Sequence, residues 1–552
     1  MDKTLNNLLN KTKEIFDTVR QKPMLVYGIG CLLLTVLSFF FTYYLRVIYS
    51  PAWLGQAKGT LVISAALIGL WTAFSLASKF RNNNMPLFMS LLLFVLGLVF
   101  VYATPPNQVP DENTHFLRSY TMAQGQWGFD EKHQFPNDVN LLIQHFPVAY
   151  NNGYKAREGA TVYHRFVRYA NAVKNGDTAG NMGIFIFQVI PYIPGAIGIF
   201  LAKLAGFGAL GAFYACRIAN LAFYCICCYF ALKFCGRFRV IMFTLMSLPL
   251  TVFMAASCNS DSFLFALMFL MFASVLSDSF DNVKAVVYAL SFAVLTTCKM
   301  SYIVFLPLIF CVPKEKWTLK FKDKNISRLV YLAFSLVVLL LVYQGTALYV
   351  QAFSNYGVIQ RPIEDSRPVE QLIFILKNPL RYVAVFVDTL KNNAFFLFSG
   401  GLLGWMDVNL PLINYCTPLV VMLACVKQAG VFRKEDINKT VIFLICSLLT
   451  YGVVLTGLYL SWTPVTLPQI IGLQMRYLCP AFMGLCMVIG QYFSTRTKEN
   501  VKNTDYSCIC TNYVFTIIAA VLMLKNLDYT FLSICLMFFV FCQKIFKFFI
   551  NR

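Results

Sequence analysis

Charge is what this chain has least of. Only 13% of its 552 residues are Asp, Glu, Lys or Arg, while 58% are hydrophobic; a water-soluble domain carries about a quarter charged. That scarcity excludes a soluble globular protein. Strict apolar–polar alternation is lacking too, because the apolar runs are continuous, and this excludes a transmembrane β-barrel. A basic patch interleaved with aromatics in a polar segment is missing, so the net charge of +21 does not point to nucleic acid. The lysines and arginines gather instead in short connections between apolar runs, as cytoplasmic loops do, with a contribution from anionic lipid contact. There is no cysteine between Thr104 and Asn181. The 18 cysteines lie mostly inside apolar runs (Cys225, Cys227, Cys228, Cys446, Cys535), where a thiol acts as a small hydrophobe, so no disulfide framework is expected. Cys508-Ile-Cys510 lacks partners at zinc spacing, and no cluster of acids resembles a divalent-ion cage. No cofactor is therefore expected to be required, and a metal is not indicated. No internal repeat is evident.

What the chain does have is a series of apolar runs, several of about 18 to 25 residues, long enough to cross a bilayer as helices. They predict an all-α, polytopic transmembrane bundle of about 13 to 14 spans. Residues 1–103 read as a basic cytoplasmic helix, held inside by Lys11, Lys13, Arg20 and Lys22, and three spans: Met24–Tyr44, Leu61–Ala77 and Leu87–Ala103. Residues 104–181 form one long extracytoplasmic loop with amphipathic pieces at Asp111–Gln124 and Val162–Val173 and turns at Asn151-Asn152-Gly153 and Lys174-Asn175-Gly176-Asp177. Residues 182–495 form the transmembrane core. Of Gly183–Leu204 and Ala212–Phe234, one is expected to be partial or re-entrant, because two full crossings would put the basic stretches Lys233–Arg239 and Lys314–Arg328 outside. Further spans are expected at Val240–Ala256, Phe263–Leu276, Ala285–Thr297, Ile303–Val312, Leu329–Val350, Pro411–Val426, Val441–Leu460 and Leu478–Tyr492. Arg381–Phe398, with Asp388, Lys391, Asn392 and Asn393 along it, reads as interfacial. Residues 496–552 supply the last two spans, Tyr513–Leu524 and Phe531–Phe548.

The rest of the chain is arranged around Thr104–Gly128, the first place where charge gathers. Pro110 suits the first position of a helix, and Asp111 and Glu112 then occupy a first turn that favours negative charge. Asp111, His115 and Arg118 recur at i, i+4 and i+7 and so share one face. Good helix-start chemistry alone accounts for much of this pattern. Under the expected topology, however, four other polar clusters emerge on the same outer side: Asn259/Asp261, Lys299/Tyr302, Trp405/Asp407/Asn409 and Gln474/Arg476/Tyr477. Singly each has a plainer reading. Asp261 starts a helix, Lys299 snorkels, Trp405 joins an aromatic belt, and Arg476 pairs with Asp407. Ionisable groups near membrane depth line cavities or pair with one another, so convergence on one side is what marks them.

These residues also resemble the domain of unknown function 2142 family of bacterial polytopic membrane proteins, which is grouped with the GT-C glycosyltransferases. Val109-Pro-Asp-Glu-Asn-Thr-His-Phe-Leu-Arg-Ser119 is similar to the family's P-P-D-E-x-x-H-F-x-R-A signature, with valine for the first proline and serine for the alanine. Pro191-Tyr-Ile-Pro194, Arg217-Ile-Ala-Asn220, Ser257-Cys-Asn-Ser-Asp261 and Lys299-Met-Ser-Tyr302 resemble the elements that follow. Gln371-Leu-Ile-Phe, Asn378-Pro, Asp388-Thr-Leu and Leu403-Gly-Trp-Met-Asp407 continue the order, and Gln474-Met-Arg-Tyr477 stands for a final Q-G-R-Y that has lost its glycine. The resemblance runs from about Pro105 to Pro480.

It implies a membrane enzyme that moves a sugar from a polyprenyl-phosphate-linked donor to a cell-envelope glycan, lipid or protein on the extracytoplasmic face of the cell membrane. The catalytic acid is then Asp111 or Glu112, with Asp111 favoured as base and Glu112 positioning it. His115, Arg118, Asn259, Asp261, Lys299, Tyr302, Trp405, Asp407, Gln474 and Arg476 are the substrate-binding candidates, and Arg118, Lys299 and Arg476 are the cations for the departing lipid phosphate. Asp111→Asn and Glu112→Gln are both expected to abolish transfer without loss of stability. The alternatives are a transporter or flippase of lipid-linked sugars, which predicts paired broken helices in two symmetric halves, and a non-catalytic assembly partner.

Overall fold

The computed structural model describes residues 23–49, individual positions between 57 and 81, and then 83–128, 133–148, 162–181, 189–312, 324–353, 367–393, 402–405, 408–494 and 501–526. The basic N-terminal helix, most of the second expected span, the turn at Asn151-Asn152-Gly153, the last span and Asp407 lie outside the described residues. The chain divides into two compact units, Met1–Val95 with Ile517–Arg552, and Leu96–Thr516. In the first, α1 (Pro23–Tyr49) is a single 27-residue helix, and Tyr27 Oη meets Thr72 Oγ1 at 2.6 Å.

The described chain is all-helical apart from one two-residue antiparallel ladder. In order, α2 (Met85–Ala103) runs from the first unit into the second, where α3 (Glu112–Ala123), α4 (Asn137–His145) and α5 (Val162–Asn175) form the long insert. The core follows with α6 (Ile193–Leu204), α7 (Ala209–Phe234), α8 (Arg239–Met246), α9 (Pro249–Ala255), α10 (Asp261–Leu276) and α11 (Asn282–Cys298). A 3-10 segment (Met300–Cys311) leads to α12 (Lys324–Phe353), α13 (Pro368–Lys377) and α14 (Pro379–Asn393). Strands β1 (Leu402–Leu403) and β2 (Val408–Asn409) precede α15 (Pro411–Lys427), α16 (Ile437–Ser461), α17 (Phe482–Phe493) and α18 (Val501–Asn526).

Four of these stretches are long and apolar enough to cross a membrane: Met85–Ala103, Ala209–Phe234, Arg328–Tyr349 and Lys434–Ser461. Three of them fall on the expected spans Leu87–Ala103, Leu329–Val350 and Val441–Leu460, and of the pair in which one member is expected to be partial, Ala209–Phe234 is long enough to cross while Ile190–Leu204 is shorter. Eight more apolar stretches are 10–17 residues long, two of them (Tyr27–Phe40 and Ser507–Ala520) parts of the longer helices α1 and α18, so four or five of the expected 13 to 14 crossings are met on length and composition among the described residues. Two spans take a different form. Val240–Ala256 is not one helix but α8 and α9, bent by 78°. Pro249 opens α9 and holds Leu248 extended at ψ 143°, as the ring of a proline forces on the residue before it. Ile303–Val312 lies in the 3-10 segment with Pro307 inside it, since proline removes an N–H that an α-helix needs.

The insert and the core share one hydrophobic interior. Phe116, Leu117 and Tyr120 of α3, Val139 and Leu142 of α4 and Tyr169 of α5 pack with Ile199 of α6 and Phe213 and Cys216 of α7. Helices α6 and α7 approach closely because Gly198 has no side chain: a Cβ there would sit 2.4 Å from the Ala215 carbonyl oxygen. Asp138 of α4 accepts the Ala209 N–H at 2.8 Å, meeting one of the unpaired donors at the start of α7. Helix α7 also packs on α10, α10 on α11, and α16 on both α17 and the 3-10 segment.

Candidate functional site

The site is built on the segment between α2 and α3, whose backbone carbonyls are claimed by side chains from far along the sequence. Arg217, fully buried in α7, donates to the carbonyls of Val101 (2.9 Å), Thr104 (2.5 Å) and Pro105 (3.0 Å) and grips Glu112 in a fork at 2.8 and 2.7 Å. All five guanidinium N–H donors are thereby used. Glu112 Oε1 also accepts the Cys258 N–H at 3.1 Å. Trp405, in the β1–β2 turn, donates to the Asn107 carbonyl at 3.1 Å, and Asn259 donates to the Pro110 carbonyl at 2.7 Å.

At the end of this segment the chain turns left-handed. Asp111 has φ 62° and is the N-cap of α3, so the helix starts at Glu112. Pro110 therefore precedes the cap rather than opening the helix, a correction to the expected start; Asp is among the few residues that tolerate this backbone. The turn sends the two adjacent acids in different directions. Glu112 is sealed against Arg217 with both side chains 0% exposed, while the Asp111 carboxylate remains 48% exposed.

Asp111 then begins a chain of alternating charges. Its Oδ2 meets Arg476 Nη2 at 3.0 Å; Arg476 Nε lies 3.3 Å from Asp261 Oδ2; Asp261 Oδ1 accepts from Lys299 Nζ at 2.5 Å. The inner pair, Arg476 and Asp261, is almost fully buried, whereas the Lys299 side chain is 35% exposed. Thus a carboxylate and an ammonium open outward at the two ends of a neutral, desolvated core. Asp261 is the first residue of α10, where the helix dipole adds to its stabilisation. Its N–H is accepted by Asn259 Oδ1 at 2.9 Å. Lys299 is the extended C-cap of α11. Tyr477 lies under both cations, 5.1 Å from Lys299 Nζ and 5.3 Å from the Arg476 guanidinium carbon.

His115, one turn along α3, is buried beside this chain and bonds Tyr192 Oη at 2.7 Å. Burial lowers its pKa to about 4 against the opposing pull of Asp111. The imidazole is thus neutral near pH 7. Next to Arg476 a small, partly open hollow, with about 20 Å³ accessible to the centre of a water molecule, is lined by Pro110, Gly404, Gln474, Met475, Arg476 and the α9 side chains Leu250, Phe253 and Met254. The bend at Pro249 carries α9 to it. The Gln474 side-chain oxygen is buried there, with no hydrogen-bond partner among the described residues.

Of the residues singled out from the sequence, Asp111, Asp261, Lys299 and Arg476 form the charge chain, and His115, Asn259, Gln474 and Trp405 adjoin or support it. Tyr302 is buried behind Lys299 against Phe305. Arg118 departs from expectation: it is buried on the carbonyls of Trp127 (2.7 Å) and Gly128 (2.9 Å), bracing the chain after α3. Arg476 pairs with Asp111 and Asp261, and Asp407 lies outside the described residues. Glu112 is a structural clamp, so the expectation that Glu112→Gln leaves stability intact does not survive its bond to Arg217. The role of Arg217 itself went unread, although a guanidinium in the middle of an apolar run is a signal in its own right.

A family described as "Predicted membrane protein (DUF2142)" matches residues 93–485. The chain belongs to this family. The DUF2142 region begins within α2 and ends within α17, so every residue of the charge chain and the Glu112–Arg217 clamp falls inside it. Neither a curated protein nor a solved structure matches the chain.

Proposed function

We propose that this DUF2142 protein is a GT-C-type membrane glycosyltransferase, moving a sugar from a polyprenyl-phosphate-linked donor to a cell-envelope acceptor on the extracytoplasmic face. One observation carries the reading: a half-exposed carboxylate and a partly exposed ammonium stand at opposite ends of a buried Arg476–Asp261 pair. Inverting transfer needs that pairing of functions. Asp111 takes the proton of the acceptor hydroxyl as its oxygen bonds to the anomeric carbon. The bond from that carbon to the phosphate oxygen breaks, and the phosphate leaves with the electron pair. Lys299 and Arg476 balance its charge, Arg476 from a position shielded from water. Phosphate leaves without a second acid to protonate it, in contrast to glycoside hydrolysis. The unpaired Gln474 oxygen suits a sugar or acceptor hydroxyl.

The position of Asp111, in the first long segment after an apolar helix, supports the GT-C resemblance, in which the catalytic acid occupies the first exterior loop. The deciding experiment reconstitutes the full chain with lipid extract carrying labelled polyprenyl-phosphate sugar. Wild type is expected to form a new glycosidic product and Asp111→Asn to form none, with unchanged melting behaviour; product from the variant at the wild-type rate ends the base assignment. The 78° break between α8 and α9 and the 3-10 segment at Pro307 favour a flippase instead. That reading predicts movement of labelled donor across the vesicle membrane with no new linkage.

A further inference from the structure

Helices α13 and α14 each carry three distinct stripes. Taking 100° per residue, Val369, Leu372, Ile373 and Leu376 of α13 form an exposed apolar stripe, and Leu380, Val383 and Val387 of α14 form another, with Leu380 85% exposed. About a quarter turn away on both helices, in the same rotational sense, lies an exposed polar stripe: Glu370 and Lys377 on α13, Arg381, Asp388 and Asn392 on α14. The third stripe docks on protein. Val385 packs with Leu455, Tyr459 and Ile470, and Tyr382 Oη meets Thr456 Oγ1 at 2.6 Å.

A helix inside a bundle needs one apolar face, and a helix sunk in lipid has no use for charges along its side. Three faces of protein, oil and water fit only a boundary. The lengths agree, since 10 and 15 residues rise about 15 and 22 Å, short of a hydrocarbon core of about 30 Å. The exposed polar stripes hold two basic and two acidic side chains, a mixed charged face that belongs at headgroup level and not among acyl chains.

The docked face also holds a particular piece of backbone. Gln371 Oε1 accepts the Thr466 N–H at 3.0 Å, and Thr389 Oγ1 accepts the Ile470 N–H at 3.1 Å. The segment so held runs directly into Gln474 and Arg476. We propose that the α13–α14 hairpin is a membrane-surface mooring. Its apolar stripes lie among the acyl chains at the phospholipid boundary, its polar stripes lie among the headgroups, and its third face fixes the segment that leads to Gln474 and Arg476. The mooring stands whichever reaction the site performs.

The test uses the full chain in phosphatidylethanolamine–phosphatidylglycerol vesicles, with the photo-cross-linker benzoyl-phenylalanine placed at Leu380, Val387 or Asp388 in turn. Leu380 and Val387 are expected to give phospholipid adducts several-fold above Asp388. Equal adducts at all three, adducts to a second copy of the chain, or no lipid adducts overturn the proposal. In the same vesicles, the double variant Leu376→Asp/Leu380→Asp is expected to speed amide hydrogen exchange at Thr466 and Ile470 several-fold while α10 exchanges as in wild type. Unchanged exchange at those two amides overturns the link to the site, and accelerated exchange throughout α10 overturns it by marking general unfolding.

Discussion

Asp111 and Glu112 are adjacent in sequence and opposite in circumstance, and substitutions separate them. Glu112→Gln leaves the Arg217 charge buried without its counter-ion, a loss of about 3–5 kcal/mol, and is expected to lower the melting temperature sharply or block folding. Asp111→Asn removes one half-exposed partner of Arg476, which costs about 1 kcal/mol or less, so thermal unfolding in detergent should barely change while activity disappears. Equal melting losses in the two variants would contradict this division. His115 supplies a pH signature. Its pKa is near 4 in the folded protein against an ordinary 6.5, with burial as the main cause. Between those values the unfolded chain binds the proton and the folded one does not, so stability falls as pH drops from 6.5 to 4 and this contribution is complete above 6.5. His115→Asn is expected to flatten the melting temperature across that window; an unchanged slope would place the titration elsewhere. At this scale the sequence was informative about which acids and cations matter, because ionisable groups are so few in an apolar chain. It was silent on the left-handed turn at Asp111, which no local pattern demands, and on the carbonyls of Trp127 and Gly128 that take Arg118 out of the cluster.

Among the elements, the α6–α7 contact depends on one missing side chain. Gly198→Val would push a β-branched group into the Ala215 carbonyl and the Ala219 methyl, and a backbone oxygen cannot step aside as a flexible side chain can. A loss of about 1–3 kcal/mol is expected, read as a lower midpoint in thermal unfolding, whereas the same change at Gly345, with nothing near its Cβ position, should be nearly neutral. Element boundaries were legible where apolar period and caps agree. Helix α3 differs from expectation by a residue, and α5 ends before Gly176, whose φ is +74°. Proline decided the two failures. Pro249 and Pro307 both stood in view within apolar runs, and each broke the α-helix that hydropathy alone suggested.

For the whole molecule, membrane sidedness is the prediction to test. A thiol reagent that cannot cross lipid is expected to label a cysteine placed at Gln126 in intact cells and to miss one at Asn325; the reverse result would invert the topology. The meeting of Asp111, Asp261, Lys299 and Arg476 agrees with an expected topology that puts their loops on one side, though their distances were not foreseeable, since pairing between positions hundreds of residues apart leaves no trace in a single sequence. The Arg217 clamp illustrates the limit. Its residues stood in recognisable elements, yet only the packed chain shows that they hold each other.

The bond from Asp138 to the first turn of α7 bears on anyone hoping to express the polar insert alone. That carboxylate completes a helix belonging to the apolar body, and Phe116, Leu117 and Tyr120 lean on the same body for cover. Excised, residues 104–181 would present an orphaned cap and a bare greasy flank to water. Antibodies or inhibitors aimed at this insert are better raised against the intact protein in lipid than against a soluble fragment.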